Sequence, residues 1–322
     1  MPGTTTTSAG PMRRIDMTAT ADDGLELAGT LVLPDGPGPH PAVLVLQGSG
    51  RVDRDSSVGR IRLGLGPALA EVLARHGIAS LRYDRRGVGA TPGDWLATGF
   101  SDNVADAAAA LRALGERPEV RADMTGVVGH SEGAVHAMRL GATTYVAAIV
   151  LLAGFARPGE ESLRWQGRQL LGNLPRPLRA PARRIGLWHL ARIKATTTDV
   201  ARVGGRRLNA RWYRELLAHD PGADLVAVDA PVLAVTGDKD VQVDPDDLDV
   251  IAALVPGDVE VRRVPDLTHV LRRDPGKPTV RAYGRQLKRP VDAELLEDVA
   301  TWLVGELGAT RTDVDTTGHR SP

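Results

Sequence analysis

Short apolar runs alternate with segments of helical periodicity along most of this chain. After Pro41 the apolar runs lie at 42–47, 79–84, 124–129, 147–154, 232–237 and 259–264. Runs that are apolar on both faces are typical of parallel strands covered by helices. The segments between them, such as GPALAEVLARHG and NVADAAAALRALGERP, repeat apolar residues at helical spacing. The pattern predicts a doubly wound α/β sheet.

Two further runs, at 14–20 and 25–33, precede this alternation. The residues between them, ADDG at 21–24, are polar and end in a glycine, which suits a tight turn. We therefore expect an antiparallel hairpin to lead into the sheet.

Residues 155–228 interrupt the alternation, because they separate two predicted strands by far more chain than a crossover needs. The sequence predicts an inserted helical cap over this range. Residues 155–220 carry 14 Lys and Arg against 5 Asp and Glu, and three of the five tryptophans. The Trp and Leu residues suggest an apolar or aromatic binding surface. We interpret the excess of arginine as a solvated exterior, with an anionic substrate or a basic lid resting on a membrane surface as alternatives.

The predicted core thus falls into a first part, 13–154, and a second part, 229–308, on either side of the cap. The ends, 1–12 and 309–322, are rich in Thr, Ser, Gly, Pro and other polar residues and are predicted to be disordered tails.

The composition of the 322 residues narrows the possible chemistry. The chain has no cysteine, which excludes disulfides, thiolate zinc sites and cysteine nucleophiles. Lys and Arg number 40, as do Asp and Glu, so net charge offers no case for a nucleic-acid partner. No signal-peptide pattern and no apolar run of membrane-spanning length is found, so we expect a cytoplasmic protein without integral membrane association. The oligomeric state is left open.

The segment GHSEG at 129–133 fits the pattern G-x-S-x-G between a predicted strand and a predicted helix. A serine on such a sharp turn projects its hydroxyl above the sheet, and glycines flank it because a Cβ would collide with neighbouring backbone. Ser131 is therefore the candidate nucleophile. A chance serine in a glycine-rich loop is the alternative.

Serine needs a histidine base held by a carboxylate, and on this turn the chain order is Ser, then Asp or Glu, then His. His269 follows a predicted strand in RRVPDLTHVLRR and is the candidate base, with a surface histidine as the alternative. His319 falls in the predicted tail. His130 is a weaker rival because it lies next to the serine and is expected to point elsewhere.

The carboxylate is expected in the turn after 232–237, where both Asp238 and Asp240 lie. We favour Asp240, because one more residue lets the loop turn back toward His269, whereas Asp238 would hydrogen-bond its own turn. Asp244 and Asp266 are interpreted as solvated or capping groups.

Acyl transfer also needs donors for the oxyanion. The candidates are the backbone N–H of Glu132, at the start of the predicted helix, and that of Ser49 in the loop QGSGR at 47–51. By itself Gly-Ser-Gly would be an ordinary flexible turn.

Four separated motifs, QGSG at 47–50, GHSEG at 129–133, GDKDVQV at 237–243 and LTHVL at 267–271, together resemble the α/β-hydrolase superfamily. The likeness spans about residues 13–308 and is strongest to bacterial esterases of the serine aminopeptidase-like and dienelactone-hydrolase-like branches. It implies Ser131 as nucleophile, Asp240 as acid and His269 as base. It also implies an eight-stranded, mostly parallel sheet with an antiparallel second strand, and a cap.

Two details of the resemblance concern the surroundings of the site. The run YDRRGVG at 83–89 also matches, and such runs shape the loop beside the active site, so we interpret it as structural. Gln47 stands where relatives have histidine, which makes the geometry of the oxyanion loop an open point. The charged residues Asp53, Arg54 and Asp55 are interpreted as solvated.

The predicted function is a carboxylesterase that acts on a small-molecule ester or acyl substrate through an acyl-enzyme, with no metal and no organic cofactor. A peptidase or thioesterase with the same three residues is the first alternative. A catalytically silent hydrolase fold that binds a ligand is the second.

Overall fold

A computed structural model describes residues 12–59, 61–172 and 174–309. Nearly all of both predicted tails, 1–12 and 309–322, lies outside these residues, as does His319.

Eight strands form one sheet, and they follow the predicted runs closely. In chain order they are β1 Arg13–Thr20, β2 Glu26–Leu33, β3 His40–Leu46, β4 Ala79–Tyr83, β5 Val120–His130, β6 Ile149–Leu152, β7 Val232–Gly237 and β8 Val259–Val264. Their spatial order is β1-β2-β4-β3-β5-β6-β7-β8. Strand β2 is antiparallel to both of its neighbours, and the remaining pairs are parallel. The predicted fold class, including the antiparallel second strand, is confirmed.

Helices cover both faces of this sheet. They are α1 Leu65–Arg75, α2 Phe100–Gly115, α3 Glu132–Thr143, α4 Gly159–Gly172, α5 Arg176–Lys194, α6 Ala210–Ala218, α7 Pro221–Leu225, α8 Asp247–Leu254, α9 Tyr283–Gln286 and α10 Ala293–Leu307. Two small hairpins, Ser57–Val58 with Ile61–Arg62 and Val200–Val203 with Arg206–Asn209, lie outside the main sheet.

The core consists of two apolar layers, one on each face of the sheet. Along β3, Leu44 and Leu46 belong to the layer shared with α2, α3, α7 and α8, whereas Val43 and Val45 belong to the layer shared with α1 and α10. Alternate side chains of a strand point to opposite faces, so a central strand must be apolar at every position. This is why the continuous apolar runs marked the strands.

Strand β8 departs from that rule. Its sequence VEVRRV has no fully buried residue, because it is the last strand of the sheet and pairs only with β7. One edge and much of its surface therefore face solvent.

The segment between β6 and β7, predicted as a helical cap over 155–228, holds α4, α5, α6, α7 and the hairpin Val200–Val203 with Arg206–Asn209. The hairpin was not anticipated. Its turn consists of Gly204 and Gly205, both with positive φ, and a Gly-Gly pair between short strand-forming runs is a usable hairpin signal. The extent of a separate cap stays a prediction.

Within the described ranges, no helix combines the length and the apolar character needed to cross a bilayer. The expected cytoplasmic location stays a prediction.

Candidate active site

The parallel strands place the candidate residues at one edge of the sheet. Gln47 follows β3, Ser131 follows β5, Asp240 lies three residues after β7, and His269 follows β8. In an open α/β sheet the carboxyl ends of the strands form the usual site of ligands and catalysis.

Ser131 occupies a strained turn between β5 and α3. Its φ of 56° and ψ of −119° lie in a region that residues other than glycine seldom adopt. A Cβ at Gly129 would overlap the carbonyl oxygen of Gly133, and a Cβ at Gly133 would overlap that of Leu46. Both flanking glycines are therefore required by backbone that lies against them, as the motif predicts.

His269 and Asp240 form a buried pair. Nδ1 of His269 lies 2.8 Å from Oδ2 of Asp240, and the Asp240 side chain is fully buried. The other carboxylate oxygen, Oδ1, accepts the backbone N–H groups of Gln242 at 2.7 Å and Val243 at 2.9 Å. Three hydrogen bonds thus hold the carboxylate in one orientation, and a carboxylate at Nδ1 directs Nε2 of the imidazole toward the substrate side.

Asp238 is placed differently. Its side chain is exposed and its Oδ1 accepts the backbone N–H of Asp266 at 2.7 Å. Asp244 pairs with Arg157 and accepts the N–H of Asp246, while Asp266 lies 3.6 Å from Lys239. Of the acidic residues considered from the sequence, the structure brings Asp240 to His269.

His130, the residue before the serine, hydrogen-bonds to the backbone of His269. Among the described residues, no hydrogen bond links the Ser131 hydroxyl to the His269 ring. Instead, Nε2 of His130 donates to the backbone oxygen of His269 at 3.0 Å, and the two imidazole rings are 5.0 Å apart. Burial, followed by the nearby His269, lowers the pKa of His130 to about 3, so it is neutral at pH 7.

The contact of His130 with His269 is one that sequence reasoning missed. His130 was set aside as pointing elsewhere, whereas it is buried against the candidate base. Its position inside the serine turn was the only available signal, because the loop that carries His269 lies more than a hundred residues further along the chain.

The predicted oxyanion loop, residues 47–51, lies directly against Ser131. A Cβ added at Gly48 would come within 3.3 Å of the Ser131 Cβ. Gln47 anchors this loop. Its side-chain Nε2 donates to the backbone oxygen of Tyr83 at 2.6 Å, and its backbone oxygen accepts from Nη2 of Arg85 at 2.5 Å. The Gln47 side chain is thus a fixed hydrogen-bonding group at the end of β4.

The predicted oxyanion donors are the N–H groups of Ser49 and Glu132. Within the part of the chain that the structure describes, neither N–H has a hydrogen-bond acceptor. The N–H of Glu132 opens α3, where the first-turn N–H groups of a helix lack partners within the helix.

From the sequence, Glu132 was expected to contribute its backbone N–H rather than its carboxylate, yet this carboxylate lies at the centre of a buried network. Its Oε2 is 3.3 Å from Arg85, and its Oε1 accepts from Nε1 of Trp212 at 2.7 Å and lies 3.2 Å from His136. Burial opposes its ionisation, but Arg85, His136 and Trp212 together hold its pKa below the usual range. Since Arg85 also holds Gln47, one guanidinium ties the serine turn to the oxyanion loop.

The run at 83–89 forms a second polar network below this loop. Asp84 accepts the backbone N–H of Arg54 at 2.7 Å and pairs with its guanidinium at 2.8 Å. The Asp84 side chain is buried and that of Arg54 is mostly buried, so the interpretation of Arg54 as solvated was wrong. A pair between oppositely charged groups is needed because an unpaired buried charge is costly.

A cavity of about 230 Å³ lies beside the oxyanion loop. It adjoins Gly50 and Arg85, and its wall is mainly aromatic and aliphatic, from Trp95, Leu96, Leu208, Trp212 and Tyr213. No cluster of three or more His, Asp or Glu side chains suited to a metal ion occurs among the described residues.

The profile of the serine aminopeptidase S33 family matches residues 64–276, more than half of the chain. The chain is also similar to Esterase EstD of Thermotoga maritima, at 28% identity over 285 residues, or 86% of this chain. It spans 65% of the length of that relative.

Solved structures share the fold. One is a complex of DcsB with its substrate analogue, with a TM-score of 0.64 at 16% identity, covering 92% of this chain and 100% of that one. Another is Est1E from Butyrivibrio proteoclasticus with bound ferulic acid, with a TM-score of 0.64 at 19% identity, covering 91% and 99%.

Proposed function

Since the chain belongs to the serine aminopeptidase S33 family, we propose that it is a serine hydrolase that cleaves carboxylic esters. The observation that carries the proposal is the buried pair of His269 and Asp240, 2.8 Å apart, at the sheet edge where the strained turn presents Ser131. A nucleophile, a base and a group that orients the base are the parts that acyl transfer requires.

In the first half of the reaction, Nε2 of His269 takes the proton of the Ser131 hydroxyl while Oγ attacks the ester carbonyl carbon. The carbonyl bond opens to an oxyanion, which the N–H groups of Ser49 and Glu132 stabilise. The intermediate collapses as the bond to the alcohol oxygen breaks. That oxygen receives the proton from His269, and an acyl-serine remains.

In the second half, His269 takes a proton from water, and the hydroxide attacks the acyl carbon. The acid leaves as the proton returns to Ser131, so each cycle consumes one ester and one water. The carboxylate of Asp240 stabilises the imidazolium that forms twice. His130 positions the base by donating to the backbone oxygen of His269.

The cavity beside Gly50 supports a small ester with an apolar or aromatic part as substrate. Three aromatic side chains, Trp95, Trp212 and Tyr213, contribute to its wall next to the oxyanion loop. The similarity to Esterase EstD favours an ester over other acyl compounds. Residues 155–228 act in this proposal as a cap, since Trp212 lies in that range and hydrogen-bonds Glu132.

Labelling by a fluorophosphonate tests the proposal. The native protein is expected to be labelled and to hydrolyse p-nitrophenyl acetate, and Ser131→Ala is expected to lose both. Ser49→Ala is the matched control, since it removes a hydroxyl beside the site and keeps the backbone N–H. A wild-type protein that is folded by circular dichroism and is not labelled would be a silent binding protein, and the proposal would be wrong.

A peptidase is the second candidate, because the matching family profile is described as a serine aminopeptidase. Turnover of aminoacyl p-nitroanilides against p-nitrophenyl esters separates the two. We expect the esters to have the higher kcat/KM, and the reverse order would assign the protein to peptidases.

A further inference from the structure

Helix α5 differs in charge from the rest of the chain. Its 19 residues include six Lys and Arg and no Asp or Glu, whereas the whole chain has 40 of each sign. Within the described residues, one of the six, Lys194, has a carboxylate partner, Glu160 at 2.7 Å. The other five are Arg176, Arg179, Arg183, Arg184 and Arg192.

The same helix exposes large apolar side chains. Leu178 is 53% exposed, Ile185 57% and Trp188 51%. With Leu187 on α5 and Leu170 on α4, they make up five of the ten exposed large hydrophobic side chains of the described residues. A soluble monomer seldom gathers such residues on one surface without a partner.

A groove between α4 and α5 continues this surface. It has a volume of about 410 Å³, and leucines from both helices line it together with exposed arginines. These residues include Leu163, Leu171, Leu190, Arg164, Arg168 and Arg183. The guanidinium of Arg192 lies 5.8 Å from the centre of the Trp188 ring. The helix thus places a cation next to an amphipathic aromatic side chain.

We propose that α4 and α5 form a docking surface for a bilayer that contains anionic phospholipids. Trp, Leu and Ile provide the side chains that enter the boundary between headgroups and acyl chains, and the unpaired arginines complement the negative headgroups. A helix with both features and no acidic residue is suited to lie in the plane of such an interface. A neutral apolar partner would leave five cations without a counter-charge.

This surface also lies next to the candidate site. Gln166 of α4 donates to Gln242 at 3.2 Å, two residues after Asp240, and α6, which carries Trp212, packs against both α4 and α5. Docking would therefore hold the entrance of the site at the membrane. Esters that partition into the bilayer are the substrate class that this arrangement favours.

Cosedimentation with vesicles tests the proposal and needs no hydrolysis, so failure of the proposed activity would not affect it. The full chain is mixed with sucrose-loaded vesicles of phosphatidylcholine alone or of phosphatidylcholine with phosphatidylglycerol. We expect at least about tenfold tighter binding to the anionic vesicles, and loss of this difference at high salt. Equal binding to both vesicles, or binding to neither, would overturn the proposal.

Two double variants separate the apolar and the charged parts. Ile185→Ser with Trp188→Ser, which leaves the charge unchanged, and Arg183→Glu with Arg184→Glu are each expected to lower binding to anionic vesicles about tenfold or more. Lys288→Glu with Arg289→Glu makes the same change of charge on another exposed surface and is expected to keep most of the binding. If this control lost as much as the α5 variants, net charge alone would account for binding and the surface would be wrongly assigned.

Light scattering after gel filtration tests whether a second copy of the chain, instead of a bilayer, covers the surface of α4 and α5. A monomer at all concentrations is expected. A dimer that Ile185→Glu dissociates would show that a second copy covers this face, and would overturn the proposal. Circular dichroism confirms that each variant is folded.

Discussion

Helices α3 and α5 show how differently two parts of this chain use their residues. Eight of the 12 residues of α3 are buried, including the charged Glu132, whereas Ile193 is the one buried residue among the 19 of α5. Helix α3 begins directly after Ser131 and lies against the sheet, so its sequence is constrained on nearly every side. Helix α5 is constrained on one side, which leaves its charge and exposed apolar residues free to serve a partner.

The charges of the two helices follow the same division. Glu132 is buried and has Arg85, Trp212 and His136 around it, because an unpaired buried charge is costly. The five arginines of α5 are exposed, and none has a carboxylate partner among the described residues. The buried charge on α3 therefore holds neighbouring side chains in place, and the exposed charges on α5 are available to bind a partner.

The largest expected effect concerns the acid of the candidate site. Asp240→Asn should lower kcat by about 10⁴-fold, because the amide favours the wrong tautomer of His269. Asp238→Asn, in the same loop, should lower it by less than about tenfold, since that side chain caps a backbone N–H. Steady-state kinetics with p-nitrophenyl acetate measures both, and comparable losses would contradict the assignment of Asp240.

Glycine substitutions test the difference in packing directly. Gly133→Ala should destabilise the fold by about 4 kcal/mol or more, because the new Cβ would overlap the carbonyl oxygen of Leu46, which is backbone and cannot move aside. Gly186→Ala in α5 meets no atom within 4 Å, and should stabilise by about 0.5 to 1 kcal/mol through helix propensity. Urea unfolding provides both values. Similar losses at the two positions would show that α5 is as tightly packed as α3.

A third prediction uses the contact between Arg157, in the segment that joins β6 to β7, and the loop after β7. Arg157 pairs with Asp244 and lies 3.3 Å from Asp247, and burial raises the pKa of Asp247 to about 7. A carboxyl whose pKa is higher in the folded than in the unfolded protein binds more protons when folded. Its contribution to stability is therefore fully present below the ordinary Asp pKa of about 4 and is lost progressively as the pH rises from there to about 7.

Asp247→Asn should accordingly exceed the wild type in free energy of unfolding by up to about 4 kcal/mol at pH 8 and by less than half of that at pH 5, at about 1.4 kcal/mol per pH unit between about 4 and about 7. Asp249→Asn, whose side chain is 82% exposed, should change stability at neither pH. Urea unfolding at pH 5 and pH 8 measures the free energy of unfolding of the wild type and of both variants. A variant that is less stable than the wild type at pH 8 would show that Asp247 is an ionised partner of Arg157.

The smallest expected effect concerns the hydrogen bond that joins α3 to α6, the helix that packs against α5. Trp212→Phe removes the donor to Glu132 and should cost about 2 kcal/mol of stability, since the acceptor is charged and buried. Trp188→Phe, on exposed α5, should stay within about 0.5 kcal/mol. Unfolding curves for the two variants measure the difference, and equal values would mean that Trp212 is no better anchored than Trp188.

Local signals in the sequence were sufficient for much of the fold. Strand β7 has the predicted bounds of 232–237, because a central strand must be apolar on both faces and is bounded by turns. The hairpin Val200–Val203 with Arg206–Asn209 was missed, because in a segment of arginines and polar residues no alternation of burial marks a strand.

In the candidate site, contacts between segments far apart in the sequence could not be predicted. Ser131 could be identified from five consecutive residues, since the strain of its turn is local. The contacts of Asp238 with Asp266 and of His130 with His269 join segments far apart in sequence, and no local pattern records them.

The sequence by itself determined the order of the strands and helices, the candidate nucleophile and the small set of candidate acids and bases that could serve it. These depend on the period of burial and on backbone conformations that few residues tolerate. Only the tertiary structure decided that Asp240 holds His269, that Arg85 ties Gln47 to Glu132, and that Trp212 contacts the serine helix. The physical reason is that a buried polar group must find its partner wherever the packing brings one, and packing is a property of the whole chain.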